Sequence, residues 1–228
     1  EIGFLAALDR TAPYRPWFAA LGAVGYWMIG LFGTRPPKLF DAEQIKEAEP
    51  AIDTKTVRGG IQYQDAYLVD NDCRFVFSFV RSAIEAGATV ANYVELVSAT
   101  RQGERWVVEL RDVDRGESFT TSARTIVNAA GPFVDELNGQ WGLTTEHCIV
   151  YSKGIHLVVP RLTTTRHDRV LAFFDDTQRL FYVIPMGRRS VIGTTDTRVD
   201  TPFTRVDDAD RAFLLDQINA RLTLERPL

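Results

Sequence analysis

The spacing of apolar and polar residues divides the chain into segments of distinct kinds. Phe4, Leu5 and Leu8 recur at helical spacing, so residues 1–10 read as the tail of a helix. Pro13 and Pro16 break it, because each proline lacks a backbone donor and pushes the residue before it towards extended conformations. Residues 17–33 carry no charge, are rich in aromatic rings, and are flanked by Arg15, Arg35 and Lys38. As a helix this run would span about 26 Å, short of a hydrocarbon core of about 30 Å. Gly22, Gly25, Gly30 and Gly33 also weaken it in isolation. A packed helix, a helix lying in a membrane interface with its rings at headgroup level, and a transmembrane span all remain open.

Asp41 and Gln44 form a capping pattern for a short helix that Pro50 ends. Alternation over residues 61–68 predicts a strand. Asp72 is placed to cap a helix whose Val76, Val80 and Ile84 make one apolar stripe, closed by Gly87. Residues 88–94 read as a short apolar strand. Residues 95–121 read as a meander turning at Asp114 and Gly116, and residues 125–132 as a small-residue strand running into a glycine turn. Beyond Trp141, strands are predicted at residues 155–159, 170–174, 180–184 and 190–193, and the polar turns between them point to an antiparallel sheet. Thr204 and Asp207 open a last helix with Leu214, Ile218 and Leu222 on one face.

Composition narrows the class. Of 228 residues, 45% are hydrophobic and 25% charged, the ordinary globular balance, which excludes wholesale disorder and fibrous architectures. The net charge of −4 argues against a nucleic-acid binder, which would carry a basic stripe. Cys73 and Cys148 come without a CxxC or a His/Cys cluster, so a disulfide framework and a structural zinc site are disfavoured and a reducing cytosol fits. The chain opens without an initiator Met or a signal peptide and stops after a helix pattern, so it reads as an interior piece of a longer protein.

Three places could carry chemistry. In Asn128-Ala-Ala-Gly-Pro132 the absence of large side chains would let a flat cofactor or a phosphate approach the backbone, although the same turn also serves packing. Lys153 beside Gly154 could meet an anionic substrate, and His156 could take a proton near neutral pH. A surface lysine and a structural histidine are the plainer readings. Thr194, Thr195 and Asp196, after Gly193, could orient a polyol or close a hydrogen-bonded turn. His147 and His167 stand in polar loops without a pattern, and no HxxxH or HExxH pair gives metal catalysis a foothold. There is no GxSxG, P-loop or GxGxxG.

Taken together, Ile126-Val-Asn-Ala-Ala-Gly-Pro-Phe-Val134, Lys153-Gly-Ile-His-Leu-Val-Val-Pro-Arg161 and Val191-Ile-Gly-Thr-Thr-Asp196 resemble the FAD-dependent glycerol-3-phosphate dehydrogenase family. Val69-Asp-Asn-Asp-Cys-Arg74, followed by a helix and Gly87, is similar to that family's central segment. The resemblance covers residues 63 to the end well and residues 1–62 loosely. It implies a mixed α/β and α+β fold, in which part of a Rossmann-like FAD-binding domain is interleaved with an antiparallel-sheet substrate domain. Residues 66–145 would belong to the first, and residues 1–65 and 146–228 to the second. The implied reaction oxidises sn-glycerol 3-phosphate to dihydroxyacetone phosphate, reduces FAD and passes electrons to quinone. The implied location is peripheral, on the cytoplasmic face of the membrane, which would give residues 17–33 an interfacial role.

Carried over by motif, Val94, Ala129, Ala130, Gly131 and Pro132 would line the FAD. His156 would accept the hydroxyl proton, and Thr194, Thr195 and Lys153 would bind substrate. The family's N-terminal GxGxxG turn, which sets a pyrophosphate against a helix N-terminus, is not found here. Arg226 follows a helix end and does not match the family's C-terminal arginine motif. A fragment inactive on its own is therefore expected. A related FAD-dependent amine or hydroxy-acid oxidase, and a stand-alone module that binds a ligand or partner without redox chemistry, are the alternatives. The sequence leaves a homodimer open.

Overall fold

A computed structural model of the chain describes residues 2–66, 68, 71–163 and 169–228. Part of the Val69–Arg74 motif and His167 fall outside them. The chain divides into two compact units, one formed by Glu1–Tyr67, Ser152–Arg198 and Thr204–Leu228, the other by Leu68–Tyr151 and Val199–Phe203. In chain order the first unit holds β1 (Ile2–Leu8), α1 (Pro16–Ile29), β2 (Lys38–Phe40), α2 (Ala42–Ala48) and β3 (Gly59–Asp65). The second contributes α3 (Asn71–Glu85), β4 (Val94–Gln102), β5 (Arg105–Asp112), β6 (Ser118–Ala123), a 3-10 turn (Gly131–Phe133) and α4 (Val134–Gln140). The first unit resumes with β7 (Ser152–Lys153), β8 (His156–Pro160), β9 (Arg169–Phe174), β10 (Leu180–Met186), β11 (Arg189–Gly193), β12 (Thr197–Arg198) and α5 (Asp208–Asn219).

Seven strands of the first unit form one sheet in the order β2-β3-β1-β9-β10-β11-β8. Every neighbouring pair is antiparallel except β1 with β9. Residues 2–8 are thus a central strand and not the helix tail their spacing suggests. Leu5 and Ala7 bury into one apolar cluster, and Ala6 and Leu8 into another on the opposite side. A strand covered on both faces reads as a continuous apolar run, and a short run of that kind mimics helical spacing.

Register lines up two rows across the sheet. Leu5, Leu171, Val183, Ile192 and Leu157 are successive cross-strand partners, the first four fully buried. Phe173, Phe181 and Ile218 of α5 join that cluster, as does Ile45 of α2. Asp41 and Gln44 close a reciprocal capping box at α2. The box at α5 is made by Asp207 with Asp210, so Asp207 and not Thr204 is its cap. Leu222 lies beyond α5 and bridges to Ile52. Buried Arg221 reaches Asp9 at 3.5 Å, Asp176 at 3.3 Å and the Gln217 side chain at 2.8 Å, tying the end of α5 to the residues after β1.

The opposite row runs Leu39, Ile61, Ala6, Ala172, Tyr182, Gly193, His156. Over its first part α1 lays Ala19, Ala20 and Ala23 against Ala6, Leu8, Ile61 and Ala172. Pro16 opens α1 at the position where its missing N–H costs nothing, and the helix stops at Ile29 with Gly30 as cap. Its small residues face the sheet, so its large ones face outward: Trp17, Phe18, Leu21, Tyr26, Met28 and Ile29 are all at least half exposed. Among the described residues no helix is long and apolar enough to cross a membrane.

In the second unit β4, β5 and β6 form an antiparallel meander with a bulge between Leu96 and Ser98. The helix α3 starts at Asn71, so Asp72 sits in its first turn instead of capping it. Gly87 ends α3 at φ +91°, its N–H on the Ile84 carbonyl and that of Ala88 on the Ala83 carbonyl. Residues 88–93 form no strand, and Val94 opens β4. Residues 125–130 are likewise outside any ladder among the described residues, because no described strand runs beside them to accept their hydrogen bonds.

The buried row carries a prediction. Leu171→Ala removes a side chain with no exposed surface from the middle strand of the seven, so it should cost about 2–5 kcal/mol in urea unfolding. Val158→Ala, on the open face and 63% exposed, should change stability by less than about 0.5 kcal/mol. Equal losses would show that the row is not the centre of the core.

Candidate functional site

Two of the three motifs meet at one end of the sheet. His156 opens β8 directly opposite Gly193, the last residue of β11. A Cβ on Gly193 would lie 2.5 Å from His156 Cδ2 and 2.8 Å from the Ile155 carbonyl, so the imidazole rests against a position only glycine can leave free. A Cβ on Gly154 would come within 2.6 Å of Thr194 Oγ1. These two glycines let the strand ends close on each other.

The threonines divide their work. Thr195 is buried, and its Oγ1 accepts the Ile155 N–H at 3.0 Å, which fixes the backbone next to His156. Thr194 is exposed and donates to the Thr195 carbonyl at 2.8 Å. His156 is exposed too.

Lys153 does not stand free for a ligand, as the motif suggested. It pairs through β7 with Thr197 of β12, and its ammonium lies 3.0 Å from Asp207 and 2.6 Å from Asp210, the two carboxylates that cap α5. Hydrogen bonds to Asp210 and then Asp207 raise its pKa. Asp207 is held below the ordinary carboxylate range, first by the Asp210 backbone N–H and then by Lys153. These partners lie more than 50 residues away in sequence, where spacing could not show them. The lysine fastens the Gly154 turn to α5.

Lys153, Arg179, Thr195, Thr197, Asp207 and Phe213 line a cleft of about 340 Å³. Arg179, half exposed and ion-paired with Asp196, was passed over in the sequence, where its only signal is a cation closing the turn that begins at Asp175. Tyr182 was missed as well. Its signal was the alternation of β10, which puts it on the face opposite buried Phe181 and Val183. Burial raises the Tyr182 pKa. Burial pushes Tyr63 up to about 12, with Tyr182 and Asp65 adding to it. Tyr26 donates to Asp65 at 3.0 Å.

The third motif belongs to the second unit. Asn128 Nδ2 donates to the Val134 carbonyl at 3.0 Å and to Asn138 at 2.9 Å, while its Oδ1 accepts the Ala130 N–H at 3.2 Å. This holds a turn whose Ala129, Gly131 and Pro132 are exposed and whose Ala130 is half-buried. Gly131 has φ +55°, and a Cβ there would meet nothing within 4 Å. The bare backbone suits the flat face of a ring system. Val94 is half-buried at the start of β4, opposite Asp112.

Two predictions follow from this packing. Gly193→Ala must displace the imidazole or the β8 backbone, so it should lower the thermal midpoint and shift the His156 ring resonances in an NMR spectrum. An unchanged spectrum would refute the close approach. Asp207 has a depressed folded pKa, so its contribution is complete above the ordinary value of 3.8 and is lost as pH falls through the lower folded value. The urea midpoint should therefore drop on acidification below about pH 4, and Asp207→Asn should lower it at neutral pH while flattening that drop.

Comparison with known proteins places this geometry. Residues 8–227 match the family model of the FAD dependent oxidoreductases. The chain is 28% identical over 219 residues to the aerobic glycerol-3-phosphate dehydrogenase of Escherichia coli, covering 91% of this chain and 42% of that protein. It is 32% identical to the D-erythritol 1-phosphate dehydrogenase of Brucella abortus, over 92% of this chain and 41% of that protein. The chain thus spans about two fifths of the length of these relatives. Among solved structures, the glycerol-3-phosphate dehydrogenase from Bacillus halodurans complexed with FAD superposes with a TM-score of 0.72 at 24% identity, covering 96% of this chain and 39% of that one. Glycine oxidase from Geobacillus kaustophilus shares the fold at a TM-score of 0.66 and 19% identity, over 98% and 57%. The chain belongs to the FAD dependent oxidoreductases, and its cofactor is FAD.

Proposed function

We propose that the protein carrying this chain oxidises sn-glycerol 3-phosphate to dihydroxyacetone phosphate and passes the electrons to a quinone. The observation that carries this reading is the exposed His156 imidazole seated on Gly193 at the open end of the substrate-domain sheet, a basic nitrogen with a glycine floor beside it. Relatives acting on two polyol phosphates, at 28% and 32% identity, support the substrate class. FAD, when bound, supplies the hydride acceptor for the carbinol C–H.

The chain's own residues do the rest. His156 takes the proton of the carbinol hydroxyl as that carbon becomes a carbonyl. Thr195 and Gly154 hold the β8 entry that aims the ring, and Lys153 acts as a positioning residue through its anchorage to α5. Thr194, the exposed hydroxyl of the pair, contacts substrate. Ala129, Ala130, Gly131, Pro132 and Val94 would hold FAD, which would make the second unit a portion of the FAD-binding domain and the first the substrate domain.

In this reading α1 lies on the cytoplasmic membrane surface. Its outward Trp17, Phe18, Leu21 and Ile29 supply buried area, and Arg15, Arg35 and Lys38 meet anionic headgroups.

In the FAD-loaded holoprotein, glycerol 3-phosphate should reduce a soluble quinone with formation of dihydroxyacetone phosphate. His156→Gln should lower kcat by about 10²–10⁴ with FAD content unchanged. The holoprotein should sediment with anionic vesicles, less so at high salt. Turnover of an amino acid instead of glycerol 3-phosphate would overturn the assignment.

A further inference from the structure

The open face of the sheet presents a second polar ring beside His156. Tyr182 and His156 are the two partners that flank Gly193 in one cross-strand row. Side chains on directly opposed residues stand about 4.5–5.5 Å apart. Because the residue between them is a glycine, the space separating phenol from imidazole is floored by backbone and contains no side chain of that row. The imidazole leans over Gly193, its Cδ2 2.5 Å from where a Cβ would lie, and covers that glycine from the β8 side. Base and phenol thus stand on one face of the sheet on either side of a single glycine, with no other side chain of the row between them.

The phenol is held as a rigid group. Phe4 meets the Tyr182 ring edge-on, centroids 6.3 Å apart at 85°, and is itself stacked on Tyr63 at 5.2 Å and 16°. Beyond Tyr182 the row is apolar, with Ala172, Ala6 and Ile61. Among the described residues the Tyr182 hydroxyl has no hydrogen-bond partner. Phenylalanine would fill the same volume with the same ring contacts, so packing gives no reason for the oxygen. A half-buried hydroxyl of this kind is free to take a partner from outside the chain.

We propose that Tyr182 is a substrate-contacting, specificity-determining residue, whose phenol hydrogen-bonds the terminal hydroxyl of the polyol phosphate while His156 faces the carbinol being oxidised. This rests on the reading of His156 as the proton acceptor in polyol-phosphate oxidation. The phenol can donate to or accept from an alcohol, and burial keeps it neutral through the physiological range. A substrate without that hydroxyl forgoes this hydrogen bond, which is how the phenol discriminates.

The test compares wild-type and Tyr182→Phe holoprotein on sn-glycerol 3-phosphate and on 2-hydroxypropyl phosphate, which keeps the carbinol and phosphate but lacks the terminal hydroxyl. Tyr182→Phe should raise KM for glycerol 3-phosphate about 5–15-fold with kcat within about twofold, and leave KM for 2-hydroxypropyl phosphate unchanged. Calorimetric titration with dihydroxyacetone phosphate, which needs no turnover, should show a matching rise in Kd. The thermal midpoint should not move, since the lost oxygen has no protein partner. An unchanged KM for glycerol 3-phosphate and Kd for dihydroxyacetone phosphate, or an equal rise in KM for both substrates, would overturn the role of Tyr182 while leaving the reaction assignment standing. Failure of the wild type to oxidise either substrate would overturn the reaction assignment, and the Tyr182 proposal with it.

Discussion

The larger unit depends on a single requirement, that β1 be covered on both faces. Its residues alternate between two apolar clusters, so neither face can be left to water without exposing fully buried Leu5 or nearly buried Leu8. One cover comes from α2 and α5, packed on the row through Leu5, Leu171, Val183 and Ile192; the other comes from the alanines of α1. The helix packs through small residues, which brings it close to the strand and leaves Trp17 and Phe18 more than half exposed. The exposed apolar surface of α1 is therefore a consequence of how it covers β1.

The same cover stops before the far strands. The cluster under α1 reaches Tyr182 at its edge, and beyond it β8 presents His156, which covers Gly193 of β11, and Val158. The open part of the sheet is also where glycines allow strand ends to approach within side-chain distance, and where a buried hydroxyl, Thr195, holds the neighbouring backbone. Rigidity on one side of the β8 entry comes from an ion pair, on the other from a glycine contact. Functional groups placed on such a frame keep their geometry without packing of their own.

Much of this was legible in the sequence where short-range signals governed it. The four strands from β8 to β11, the α2 capping box and the Gly87 terminator follow from alternation, cap chemistry and a positive φ, all local matters. The errors came where partners far along the chain decided the outcome. Residues 2–8 look helical until β9 and β3 are known to flank them. Residues 125–130 look like a strand, but a strand exists only with a neighbour. At the site, His156, Thr194 and Thr195 stood out through their motifs. The engagement of Lys153 by Asp207 and Asp210, and the alignment of Tyr182 with His156 across Gly193, are products of register that no window of sequence contains.

The pairing of β1 with β9 also sets a clock on biosynthesis. Leu5 finds Leu171 only after roughly 160 further residues have been made, which at 5–20 residues per second takes about 10–30 s. Until then the ribosome-bound chain carries a two-faced apolar strand paired at most with β3, and an aromatic helix with little to rest on. A nascent chain of this kind is a natural client for holding chaperones. Synonymous codons that slow translation after β3 would lengthen the exposed interval while leaving the amino-acid sequence unchanged.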